Sequence, residues 1–161
     1  MSINLDALLR TLHVLGVVIW IGGVAMVTAV ILPAVKASDD PGRRLELFRR
    51  IEHRFKPIAQ VTTVLVGATG FYLLHLRDSW WMFARVEYWW VHAMVLVWLI
   101  FTVLLFVLEP LVIEKQLDER ANEDPDAVIE RMLRLHWILL ILSLVAVFGA
   151  VAGAHGWLFF R

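Results

Sequence analysis

Four apolar stretches, at about 5–33, 57–76, 86–113 and 132–160, are each long enough to cross a bilayer as a helix, which takes roughly 20 residues. Within the hydrocarbon every backbone N–H and C=O must find its partner inside the protein, so such stretches have helix as their natural conformation. With 60% hydrophobic residues among 161 and a mean hydropathy of +0.73, the chain carries more apolar surface than a soluble domain of this size can bury. The expected fold is all-α: an integral membrane four-helix bundle, one transmembrane domain over 1–161. The first stretch is too long for a signal peptide and has no suitably placed small-residue cleavage site, so it reads as the first span of the mature chain.

Charge gives the orientation. Lys36, Arg43, Arg44, Arg49, Arg50, Arg54 and Lys56 lie between the first two stretches, and Lys115, Arg120, Arg131 and Arg134 between the last two, which is eleven of the fifteen basic residues. Only Arg10, Arg77, Arg85 and Arg161 belong to the other side. The positive-inside rule therefore places both charged connections in the cytoplasm and both termini outside, N-out/C-out, in a multi-pass protein of the bacterial inner (cytoplasmic) membrane whose outer ends face the periplasm. A formal net charge of zero offers no basis for a nucleic-acid partner, and the lipid bilayer is the expected surrounding.

In the connections, Asp40-Pro41 and Asp124-Pro125 each set an N-cap residue before a proline suited to a first helical turn. After the first, Leu45, Phe48, Ile51 and Phe55 recur at helical spacing with arginines opposite, which predicts an amphipathic cytoplasmic helix over about 41–56 lying on the inner membrane surface.

The chain has no cysteine, so metal chemistry would rest on histidine, methionine, carboxylates or a cofactor. With alternating helix directions, His13, His75, His92 and His155 all fall near the outer ends, one per helix, whereas His53 and His136 fall at the cytoplasmic boundary as ordinary interfacial residues. An ionisable side chain within the hydrocarbon is costly and marks a functional site by default. His13 and His92 lie about two turns inside their helices and are the leading candidates. His155 in "GAVAGAHGW" is intermediate, and His75 in "LLHLRDSWW" is already leaving the membrane.

His13, Gly16, Trp20 and Gly23 share one helical stripe. The room that glycine leaves there serves either close helix packing or a flat macrocycle between helices, and Gly149 and Gly153 invite the same two readings. Trp80, Trp81, Trp89, Trp90 and Trp157 read as an interfacial aromatic belt, while Trp20 and Trp98 lie deeper. Neither Glu87, at the interface, nor Glu109, at the opposite end, completes a water-activating zinc site, and no nucleophile with its base or phosphate cradle is present. Histidines at one depth suit haem iron or copper instead.

Several of these residues belong to a longer pattern. "LRTLHVLGVVIWIGGVAMVTAVILPAVK", followed by "RRIEHRFKPIAQVTTVLVGATGFYLL", resembles the small four-helix membrane proteins of the copper-resistance D (CopD) type and the related HemJ type, a haem-binding protoporphyrinogen oxidase family. The likeness covers nearly the whole chain and is carried by the basic residue, His13, Trp20 and Gly23, by Leu32-Pro33, by "RFKPIA" with Gly70, and by the W-x-H at Trp90 to His92. On the HemJ side it implies b-type haem, with His13 and His92 matching the histidines of helices one and three. HemJ-type proteins carry a lysine two positions after the second histidine where this chain has Met94, a departure that weighs against protoporphyrinogen oxidation and leaves enzymatic activity open. On the CopD side it implies copper uptake or tolerance, for which His13, His92 and His155 are the proposed ligands.

The expectation is a haem b protein transferring electrons at the periplasmic side. His13 and His92 are its axial ligands, His155 or His75 are substitutes or propionate partners, and Trp20 and Gly16 belong to the same site. Quinone or a periplasmic redox protein would be its electron partner. The alternative is a copper-binding or copper-transport protein with a periplasmic histidine cluster assisted by Met82 and Met94, exchanging copper with a periplasmic protein. A bundle without cofactor ranks third. Small-xxx-small spacing acts equally within one chain or between copies, so a homo-oligomer is compatible with the sequence.

Overall fold

A computed structural model describes residues 4–38, 41–113 and 125–157. Helix α1 spans Leu5–Lys36, α2 spans Pro41–Leu76, and α4 spans Pro125–Ala154. Helix α3 comprises the α-helix Trp89–Val103 and the π-helix Leu104–Ile113, and two short 3₁₀ turns, Trp80–Ala84 and Val86–Tyr88, lead into it from α2. No strand occurs among the described residues. Each helix holds a segment apolar enough to cross a membrane: Leu5–Lys36, Glu46–Leu76, Val86–Leu111 and Asp126–Ala154.

Local chemistry explains where the helices begin, widen and stop. Asn4 caps α1 by accepting the Ala7 N–H at 3.2 Å. Pro33 cannot donate and crowds the carbonyl four residues back. The preceding turn, Val27–Ile31, opens into a π-helix in which the Leu32 N–H reaches Val27 O. Pro110 lies within the longer π-helical stretch of α3, where the same relief operates. At the His13 end, α2 closes with Asp78 in the left-handed region (φ 48°) and Ser79 N–H bonded to Leu74 O, while α4 closes with Gly156 (φ 81°) and Trp157 N–H bonded to Ala152 O. Both closures are Schellman-type and satisfy carbonyls that the bilayer would leave bare.

Residues 41–56, expected as a separate helix on the membrane surface, are helical but run without a break into 57–76, with Pro57 inside. The apolar stripe faces the bundle rather than lipid. Phe48 is 2% exposed and joins Val27, Leu32, Val35 and Ile129 in a buried cluster, with Phe55 packed against it. Of that stripe, the Leu45 side chain lies outside the description, as do the expected caps Asp40 and Asp124, and Lys115, Arg120 and Arg161.

Helix α1 packs along α2, and α3 along α4. Lipid tails are as apolar as leucine, so burial drives this association little, and close van der Waals fit must do it. Glycines provide that fit. A Cβ on Gly16 would stand 2.9 Å from Val66, one on Gly67 2.5 Å from the Trp98 indole, and one on Gly153 2.5 Å from the Trp90 indole. Gly16 and Gly23 therefore seat α2 side chains, and the packing reading of that stripe holds for them. Trp90, expected in the interfacial belt, is instead a core residue at 5% exposure, because Gly153 leaves room for its ring. Trp80, Trp81 and Trp157 are exposed as a belt would be. Three buried hydroxyls are satisfied by their own helices, Thr28 donating to Val24 O at 2.7 Å, Thr69 to Leu65 O at 2.6 Å and Ser143 to Leu139 O at 2.7 Å, whereas Thr63 Oγ1 has no partner among the described residues. The outer surface is apolar, with Val61 68% and Leu111 70% exposed, as lipid contact requires.

Candidate functional site

His13 occupies the third turn of α1, half-buried against α2. Its Nδ1 lies 3.1 Å from Val66 O and 3.1 Å from Thr69 Oγ1. A carbonyl can only accept, and the Thr69 hydroxyl commits its own proton to Leu65 O, so Nδ1 carries the ring proton and donates to both. Nε2 is then the nitrogen with the lone pair, and it has no partner among the described residues. Gly70 makes the approach feasible: a Cβ there would stand 3.0 Å from His13 Cε1. Val66, Thr69 and Gly70 follow one another at helical spacing, so a single face of α2 receives the imidazole.

Beside His13 lies a cavity of about 460 Å³ between the two helix pairs, within the usual range for small-molecule sites. Its walls are apolar apart from a few side chains, and Trp20, Trp90 and Trp98 contribute three of its aromatic surfaces. Met82 and Met94 line it with His13, and Arg77 and Ser79 bring polar groups to it. Arg77 is held by Asp6 in a bidentate pair at 2.6 and 2.7 Å, tying the end of α2 to the first turn of α1. That hydrogen bond raises the guanidinium above its ordinary pKa, so it stays cationic. The Trp98 N–H donates to Thr63 O at 2.9 Å, whereas the Trp20 N–H, in a residue 3% exposed, has no acceptor among the described residues.

The other histidines are elsewhere. His92 lies on the outside of α3, where its Nε2 donates to Phe83 O at 3.1 Å and its ring meets Phe83 edge-on. His155 is exposed at the end of α4, with Nδ1 donating to Val151 O at 2.7 Å, and His75 is exposed beside Tyr72. None of the three lines the cavity. The His13–His92 pair and the histidine cluster expected from helix depth are therefore not assembled, because rotation of α3 and α4 turns those rings outward. Among the described residues no group of three or more His, Asp or Glu could hold a metal ion. Gly16, also expected at the site, is filled by Val66 and is not on the cavity wall, whereas Trp20 is.

A second polar centre sits at the opposite end. Lys56 Nζ lies 3.0 Å from Glu109 Oε1, with the side chains 23% and 12% exposed, so each spanning segment buries a charge against the other. Sequence held half of a signal for it, Glu109 inside the apolar stretch 86–113, while Lys56 was counted with the basic connection before the second stretch. Nothing in the spacing alone joined the two.

Over residues 7–154 the sequence matches the family described as "Predicted integral membrane protein (DUF2269)". The chain belongs to that family. No curated protein and no solved structure matches it significantly. This member of the family is an integral membrane protein with four spanning segments, and its outer surface contacts the lipid bilayer.

Proposed function

We propose that this family member binds b-type haem in the cavity beside His13, which His13 would hold through Nε2, and serves electron transfer. The observation that carries this reading is the state of that one imidazole: Nδ1–H is anchored on Val66 O and Thr69 Oγ1, and the Nε2 lone pair is left free beside an apolar cavity. Histidines that ligate metals are held in this way, since a backbone acceptor on the second nitrogen fixes the tautomer and ring plane and makes the ligand more basic. The residues fit the group in other respects. Tryptophan rings and aliphatic side chains would surround it, Arg77 would offer a cation to its carboxylates, and Met94 or Met82 would supply a second ligand in place of His92. When bound, haem would supply one-electron chemistry.

The resemblance of the helix-one pattern to HemJ-type and CopD-type proteins supports this assignment. The distribution of basic residues supports an inner-membrane location with His13 toward the periplasm, where quinone or a periplasmic redox protein would exchange electrons. A second reading, copper binding, draws on one specific observation, that two thioethers share the cavity with His13, a donor set that suits the softer copper(I). Visible spectra of detergent-purified protein, oxidised and then dithionite-reduced, with metal analysis on the same sample, separate the two. A Soret band with a reduced alpha band is expected. Copper in stoichiometric amount without haem would replace the first reading by the second, and neither signal would remove both.

A further inference from the structure

We infer that the cavity beside His13 opens sideways between α1 and α4 and is filled from the bilayer by a membrane-dissolved, largely apolar molecule. The wall itself carries the argument. Val14 and Val18 of α1 and Val151 of α4 line the cavity, yet they are 57%, 61% and 57% exposed on the outer surface of the bundle. A side chain can belong to both surfaces only at a rim. Val18 lies about 20 Å along α1 from Leu5, at 1.5 Å per residue, so this rim reaches well into the spanning segment.

The packing explains the gap. Deeper in the bundle Trp20, Ile21, Leu140 and Ala146 form one buried cluster and close α1 against α4. Toward His13 the facing residues of α4 are Ala150, Val151 and Ala154, too short to bridge to α1. At the polar edge, by contrast, the Arg77–Asp6 pair fastens α2 to α1. Trp20 is on that wall, at the boundary between the cavity and the buried cluster. The identity of the occupant as haem rests on the reading above; the side opening does not.

The absence of native cysteine allows a direct test. A nitroxide attached at Ala150→Cys, on the cavity wall, is placed in lipid vesicles and its collisions with dissolved oxygen, which concentrates in hydrocarbon, are compared with those of a water-soluble nickel chelate. Oxygen collisions should dominate. They should fall to half or less when the rim is narrowed by Val18→Phe or, independently, by Val151→Phe, while Leu144→Phe, on the outer face of α4 and off the cavity wall, leaves them unchanged. Dominant collisions with the nickel chelate, or oxygen collisions indifferent to both rim substitutions, would overturn the inference. A rim-dependent oxygen signal in protein that takes up no haem would uphold the opening and remove haem as its cargo.

Discussion

Gly22 and Gly23 are adjacent on α1, at the same depth and of the same residue type, and a methyl group added to each meets opposite surroundings. At Gly22 a Cβ finds nothing within 4 Å. At Gly23 it would overlap the Phe55 ring carbons Cε2 and Cζ, so α1 and α2 must separate or the ring must leave the seat it fills beside the Phe48 cluster. Overpacking of this kind costs about 1–3 kcal/mol, and replacing glycine by alanine within a helix returns up to about 1 kcal/mol. Gly23→Ala should therefore destabilise by about 1–2 kcal/mol, and Gly22→Ala should be neutral or stabilise by up to about 1 kcal/mol. Reversible unfolding in mixed micelles, followed by tryptophan fluorescence, measures both. Equal effects of the two substitutions, or a loss confined to Gly22→Ala, would refute the assigned rotation of α1 and with it the placement of His13 on the same helix.

Three further outcomes are expected. Thr69→Val removes one of the two acceptors of the His13 Nδ1–H and should cost about 0.5–1.5 kcal/mol in the same assay, while Val66 O keeps the tautomer. Glu109→Ala removes the carboxylate that lies 3.0 Å from the Lys56 ammonium and should cost about 1–3 kcal/mol; the double change Lys56→Ala with Glu109→Ala should cost less than the sum of the singles, as a double-mutant cycle will show. His155→Ala, at an exposed position off the cavity, should leave both metal content and stability unchanged, measured by elemental analysis and unfolding.

The spans were legible because their physics is one-dimensional: an apolar run of sufficient length has to be helical in a bilayer. Continuity was less so. The amphipathic stripe over 41–56 and the apolar run over 57–76 read as two helices, but the structure runs one helix through Pro57, and Phe48 and Phe55 turn inward because α1 and α4 offer a buried seat. For the site, depth could be read and azimuth could not. Hydropathy and spacing put His13 and His92 near one level, but which way each ring faces depends on helix rotation, which packing decides. Gly153 admits Trp90 to the core, and two residues further along α3 His92 is carried to the outside. His13 stayed inside because Gly70 makes room and Thr69 and Val66 O offer it acceptors, a partnership between helices that no single stretch announces.

The central claim is that His13, alone among the histidines of the described residues near that end of the bundle, presents a free nitrogen to the cavity and ligates what binds there. Reduced-minus-oxidised spectra of the purified parent, His13→Ala and His92→Ala, recorded side by side at equal protein concentration, test it most directly. The account predicts a haem alpha band in the parent and in His92→Ala and its loss in His13→Ala. A band that survives in His13→Ala, or that disappears with His92 instead, would contradict it.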